Sequence, residues 1–457
     1  MSILEPIISQ SHFPDNFIWG VATSAFQIEG AAHLHGKGPS IWDTFCNVPG
    51  AIADASNGVT ACDHYNRWED DLDMIASLGV AAYRFSVSWP RVRPTGSGAW
   101  NHKGLDFYER LVDGLLERGV MPYLTLNHWD LPEALQTEGG WARRDTVHRF
   151  VEYANGMNKR LGDRVTSITT HNEPWVMAVL GYETGIFAPG LKDKGLAAQA
   201  AHHLMLSHGM ALQSLRAEGC AAKLGIVLNL SPVQAASDSA ADQAQALLED
   251  GKLLRWYMDP LFKAQYPQDV LDYLGADAPQ VATGDMATIA TSMDFLGINY
   301  YSRSVVSAAG PWDVKQSGLE ITDMGWEVYP EGLTELLLRL DRDYPVPPMY
   351  VTENGGAFKD AMVNGQVHDA DRIRYIAQHI AAVGEAIRLG VSMEGYMVWS
   401  LLDNFEWASG YAKRFGIVHV DYETQRRTLK DSALWYRKFL EQMHMPADAH
   451  ESLTQGA

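Results

Sequence analysis

Met349-Tyr350-Val351-Thr352-Glu353-Asn354-Gly355-Gly356 reads as an apolar, extended run that ends on a carboxylate and is turned away by a glycine pair. A strand apolar on both faces is one buried on both faces, as in a parallel barrel. Its last side chain then stands where barrels keep their functional groups, at the carboxyl end of the strand. Working outward, residues 166–174 read Thr-Ser-Ile-Thr-Thr-His-Asn-Glu-Pro, a second β-rich run that ends on Glu173 and is stopped by Pro174. A lone acid after a strand is usually a solvated loop residue. Two such endings ask for another explanation.

The same alternation runs the length of the chain. Strands are expected at 17–23, 81–87, 121–126, 166–173, 223–228, 294–298, 349–353 and 395–399. Helical spacing marks the segments between them: Trp68, Leu72, Ile75 and Leu78 before Gly79; Leu105, Tyr108, Leu111, Val112 and Leu115 before Gly119; residues 196–216; residues 242–258; Ile373, Ile376, Ile380, Val383 and Ile387 before Gly390. Leu434, Trp435 and Phe439 mark a closing helix. Eight strand–helix units predict an α/β fold, the (β/α)8 TIM barrel. The long connections at 30–66, 301–330 and 400–425 then lie on its functional face. Residues 1–457 are expected to form one elaborated domain.

Composition narrows the function. With 36 basic against 56 acidic residues, the net charge of −20 repels nucleic acid and anionic membrane surfaces. No run approaches the length of a membrane span. Residues 1–10 lack the basic start and apolar core of a secretory leader. Cys46, Cys62 and Cys220 are few, odd in number and without metal-ligand spacing, and are expected to be buried free thiols of a reducing compartment. A cytoplasmic enzyme is the expectation. Fourteen Trp and 19 Tyr mostly pack the core, and some would stack on flat apolar faces such as those of sugar rings.

Polar or aromatic groups recur at the predicted strand ends: Gln27, Arg84, His128, Asn172 with Glu173, Asn299 with Tyr301, Glu353, and Trp399. Arg84 or His128 alone would be a satisfied core residue. Together, in a barrel, these groups converge on one cavity. Paired carboxylates there suit glycosidic bond cleavage, in which a retaining enzyme needs one ionised and one protonated acid about 5 Å apart. Glu353 is the expected nucleophile, supported by the cation of Arg84 and the hydroxyl of Tyr301. Glu173, facing that charge and flanked by Trp175, is the expected acid. Asn172 is placed to bind a sugar 2-hydroxyl.

Asn172-Glu173-Pro174 with Thr352-Glu353-Asn354-Gly355 resembles glycoside hydrolase family 1, the β-glucosidase family. The resemblance covers nearly the whole chain through Phe17-Ile-Trp-Gly-Val-Ala-Thr-Ser-Ala-Phe-Gln-Ile-Glu-Gly30, Tyr83-Arg-Phe-Ser-Val-Ser-Trp-Pro90, His128-Trp-Asp-Leu-Pro132 and Leu401-Leu-Asp-Asn-Phe-Glu-Trp407. It implies that Glu173 is the acid/base and Glu353 the nucleophile. It implies that Gln27, His128, Asn172, Glu406 and Trp407 hold the non-reducing sugar over a Trp399 floor, with Trp129, Asn299, Tyr301 and Phe415 completing the set. Trp326 would pack against the aglycone. The expected substrates are β-glucosides and cello-oligosaccharides, with glucose as product, no cofactor, and side activity on β-galactosides and β-fucosides. A homo-oligomer is compatible with the sequence. His171 stands where family members often carry Phe or Leu, and Val176 where Cys is frequent. The stretch 302–325 offers little to match.

Four other readings are weaker. Cleavage of 6-phosphorylated glycosides would set a phosphate against Glu406, a like-charge clash. Thioglucosidase relatives replace the acid by Gln, and position 173 is Glu. A non-catalytic sugar binder on this fold would typically lose one acid. His33-Leu-His35 has the spacing of a metal pair but lies in a Gly-flanked loop with no acid cluster, and reads as a solvated pair.

Overall fold

The computed structural model describes residue 8 and residues 10–443, so most of the stretch 1–10 read for a leader lies outside the described residues. Eight parallel strands close a barrel in sequence order: β1 Ile18–Ala22, β2 Ala82–Ser86, β3 Met121–Asn127, β4 Ser167–Asn172, β5 Lys223–Asn229, β6 Phe295–Asn299, β7 Met349–Asn354 and β8 Met393–Trp399. Each predicted strand is found within a residue or two of its expected ends. β1 and β8 pair to complete the ring, with Ala22 beside Trp399.

The apolar runs form strands because both faces are covered. Ala22, Ala82, Tyr123, Phe295, Tyr350 and Met397 pack together inside the ring. Tyr83, Leu124, Ile168, Ile226, Leu296 and Val351 join the larger core against the helices. The helix Ala370–Arg388 shows the mechanism on the outer layer: Ile376, Ile380 and Val383 are buried and Ile373 and Ile387 half-buried. Each fully buried aliphatic side chain of that stripe contributes about 2 kcal/mol.

Three features differ from the sequence reading. Two long helices went unread, Arg144–Leu161 (α1), between β3 and β4, and Glu331–Asp343, before β7, along with several of one or two turns. The single helix expected at 242–258 is two, Ala240–Asp250 and Trp256–Lys263, joined through a wider π turn at Gly251–Arg255. The third difference sits at the functional end: β4 stops at Asn172, one residue before its carboxylate, whereas β7 runs through Glu353 to Asn354. Of the cysteines expected to be buried, Cys62 is, while Cys46 and Cys220 are half-buried. No described helix is long and apolar enough to cross a membrane.

Candidate active site

Strict alternation would send Glu353 and Asn172 out of the barrel. In β7, Tyr350 faces the interior and Val351 the helices, so Thr352 points in and Glu353 should point out. The register against β6 and β8 slips at this point, with Ile298 opposite Val351 but Asn299 opposite Glu353. Thr352 and Glu353 therefore both face inward. In β4 the register against β5 slips between Thr169 and Asn172. Thr170 and His171 both face the outer helices, and Asn172 turns in. Two bulges thus aim the site, a use of bulges common beside functional centres. Gly355 is required where β7 ends: a Cβ there would lie 1.6 Å from the carbonyl oxygen of Trp399.

The inward groups form one buried network. Glu353 Oε1 accepts from Arg84 Nη1 at 2.6 Å, and Oε2 from the Tyr301 hydroxyl at 2.7 Å. Arg84 Nη2 donates to Asn172 Oδ1 at 2.7 Å. Asn299 Nδ2 donates to Glu173 Oε1 at 2.5 Å and to Asn172 Oδ1 at 3.0 Å, and Asn299 Oδ1 accepts from Thr352 at 2.8 Å. With Asn172 Oδ1 taken twice, its Nδ2 must donate to His128 Nε2, 3.2 Å away. His128 therefore carries its proton on Nδ1, which has no protein partner although the ring lines the cavity. It is a buried donor without a hydrogen-bond partner among the described residues.

Burial lifts the pKa of both carboxylates, and their neighbours then separate them. Glu173 is pushed well above the carboxylate range by burial and by the charge of Glu353, against the donation from Asn299. Glu353 is also raised by burial, but Arg84 and Tyr301 oppose the rise. Glu353 is the more acidic of the two. Glu406 is pushed up to about 8 by burial and by the charge of Glu353, while Gln27 Nε2 stands 3.4 Å from it. Burial, then Arg84, hold His128 well below the imidazole range, so it is neutral.

These groups open on a cavity of about 280 Å³. Its walls carry Glu173, Glu353, His128, Trp129, Asn299, Tyr301, Trp326, Trp399, Glu406, Trp407 and Phe415 of the predicted set. Gln27, Arg84 and Asn172 stand behind that wall, each bonded to a group of the site. His128 lies nearly parallel to Trp399 and Trp407, at 14° and 13°. Tyr301, Trp326 and Phe415 form an aromatic corner of the wall with centroids 5.4–6.1 Å apart. Trp175, Val176, Leu180, Phe187, Leu230 and Met324 make the outer wall largely apolar. Sequence reasoning named Trp175 for its effect on Glu173 and Val176 as a departure from the family pattern, and missed the other four, because they sit on loops and a π-helical turn without periodicity. Glu173, Trp129 and Trp407 hold left-handed backbone, with φ of +51°, +82° and +47°. Such conformations are strained for side-chain-bearing residues and gather at functional sites. His33 and His35 are exposed, and no cluster of three or more His, Cys, Asp or Glu able to hold a metal occurs among the described residues.

Comparison with known proteins agrees with the fold. A family model described as Glycosyl hydrolase family 1 matches residues 9–445. Beta-glucosidase A of Acetivibrio thermocellus is 46% identical over 443 residues, 95% of this chain and 99% of that protein. The bifunctional beta-D-glucosidase/beta-D-fucosidase of Bifidobacterium breve is 44% identical, covering 94% of this chain and 98% of its own length. The crystal structure of the beta-glucosidase from Exiguobacterium antarcticum superposes with a TM-score of 0.92 at 45% identity, covering 95% of this chain and 100% of that one.

Proposed function

The chain belongs to glycosyl hydrolase family 1, and from that premise we propose that it is a retaining exo-β-glycosidase acting on aryl and alkyl β-glucosides and cello-oligosaccharides. The observation that carries the mechanism is the contrast between the two buried carboxylates. One is held by a cation and a phenol; the other is left to a single amide. Asn299 bonds Glu173 directly and also lies close enough to Glu353 to stabilise its charge. That shared neighbour favours the short spacing of about 5 Å used for retention over the wider one that admits a water between the acids.

In the first step Glu353 attacks the anomeric carbon while Glu173 gives its proton to the glycosidic oxygen, so the aglycone leaves neutral. The glycosyl ester at Glu353 carries no charge, which removes part of what raised Glu173. Glu173 then takes a proton from the incoming water, and the sugar departs with its configuration kept. His128 Nδ1–H, Glu406 and Gln27 hold the sugar, and Trp399 lies beneath it. The relationship to a glucosidase/fucosidase supports fucoside side activity, and galactosides are expected to follow because they share the axial 4-hydroxyl of a D-fucoside and add only the 6-hydroxyl that a glucoside also carries.

The position of Glu406 changes the argument against phosphorylated substrates. With its pKa pushed up to about 8 the acid is largely protonated at neutral pH, so charge repulsion is weaker than the sequence suggests. What disfavours a phosphate is the shortage of cations. Among the described residues lining the cavity, Arg303 is the one Lys or Arg, and Glu327 neutralises it through two bonds of 2.6 and 3.3 Å.

Initial rates on nitrophenyl β-glucoside, β-galactoside, β-fucoside, α-glucoside and 6-phospho-β-glucoside test the reading. Turnover of the unphosphorylated β-sugars with β-glucose as first product is expected. Preference for the phosphorylated sugar, or α-glucose as first product, would overturn it.

A further inference from the structure

The bulge in β4 sends His171 outward, away from the cavity. It is nevertheless fully buried, stacked on Phe150 of α1 at 4.3 Å between centroids and edge-on to Trp141 at 5.3 Å. Its hydrogen bonds fix its tautomer. The Ser207 hydroxyl donates to the Leu204 carbonyl at 2.8 Å, so it accepts from His171 Nε2–H, also at 2.8 Å. Nδ1 is then a lone pair, and it accepts from Asn127 Nδ2 at 3.0 Å. That contact fixes the Asn127 amide, which presents Oδ1 to the backbone N–H of Trp129 at 3.3 Å. Trp129 is a cavity-wall residue in left-handed backbone, its indole bonded to the Asn172 carbonyl at 2.8 Å and packed on Trp407 at 4.5 Å.

We propose that His171 is a positioning residue for the reaction: acting through Asn127, it sets the backbone of Trp129 and with it the aromatic wall that receives the sugar. Asn127 and His171 are direct partners across β3 and β4, so the relay spans one strand pair. Without a lone pair at Nδ1, Asn127 Nδ2 keeps only the weak thioether acceptor of Met177 at 3.3 Å, so the amide is held less firmly with Oδ1 toward Trp129 and the +82° conformation loses part of its tether. The inference rests on the glycosidase reading of the cavity.

Two substitutions separate orientation from packing. His171→Phe keeps a ring against Phe150 but offers no acceptor. His171→Asn gives up the ring but puts Oδ1 where Nδ1 was. For the full chain on nitrophenyl β-glucoside, His171→Phe is expected to raise KM about fivefold with kcat changed less than about twofold, the size of one lost hydrogen bond. His171→Asn is expected to hold KM within about twofold while its melting temperature falls below that of the Phe variant. Asn127→Ala should reproduce the KM rise, and adding His171→Phe to it should change KM no further. If His171→Phe does not fold, Asn127→Ala alone carries the test. A KM that tracks melting temperature, or an additive double variant, would overturn the proposal. Unchanged KM in an active enzyme defeats the positioning role alone. Absence of turnover in the unmodified chain defeats the glycosidase reading first.

Discussion

The ends of β7 and β4 carry the same chemical group by different means. Glu353 lies within a strand, in extended backbone, with a charged and a phenolic donor on its two oxygens. Glu173 lies one residue beyond its strand, at φ +51°, with Asn299 as its donor. Both are buried. The difference shows that burial alone does not assign roles to a pair of acids. On the proposed mechanism, what assigns them is which acid is given a cation, and a cation 2.6 Å away outweighs an amide at a similar distance.

The comparison breaks most cleanly at Glu353. Glu353→Gly should lose at least about 10⁴-fold in kcat, and azide should restore turnover as the α-configured glycosyl azide. A β-configured azide would exchange the roles of the two ends. Glu173→Ala comes next. It should lose about 10³-fold on cellobiose but far less on a dinitrophenyl glucoside, whose leaving group needs no proton. Equal losses on both substrates would mean that β4 does not supply the acid.

A smaller effect sharpens the electrostatic half. On the proposed mechanism the active form has Glu353 ionised and Glu173 protonated, so kcat/KM should rise with pH through the first group and fall through the second. Arg84 lowers the pKa of Glu353. Removing it as Arg84→Met should move the acidic limb to higher pH by about one unit or more, with Tyr301→Phe moving it the same way by less. An acidic limb that stays in place would assign it to some other group.

How far this contrast is legible in the sequence follows from the same strand ends. Strands buried on both faces declare themselves as apolar runs, so the barrel and both carboxylates could be read directly. The bulges could not. Nothing in Thr-Thr-His-Asn or Thr-Glu-Asn marks a register slip, and only the pairing with β5, β6 and β8 shows that Asn172 and Glu353 turn inward. The helix α1 is a different omission. Val147, Phe150, Ala154, Met157 and Leu161 do follow helical spacing, but charged residues such as Arg144, Asp145, Arg149 and Glu152 dilute the stripe. The protonation of Glu406 was illegible for another reason, since it depends on burial and on a neighbour 53 positions away in the chain.

The smallest predicted effect concerns stability. Glu173→Gly should raise the melting temperature by about 1–3 °C, because glycine accepts left-handed backbone without strain. Glu353→Gly should lower it, since it strands the buried Arg84 charge. Calorimetry that ranks the two the other way would remove the strain argument.

The left-handed backbone at Glu173, Trp129 and Trp407 therefore has a bearing on how such a chain can be improved. A screen that rewards survival of heating and ignores turnover would take glycine at these three positions as readily as at the left-handed Ala31, Ala55 or Ala264, and on the proposed mechanism would return a sturdier barrel that no longer cuts. Thermal hardening of this protein has to be sought elsewhere in the fold, with catalysis scored in every round.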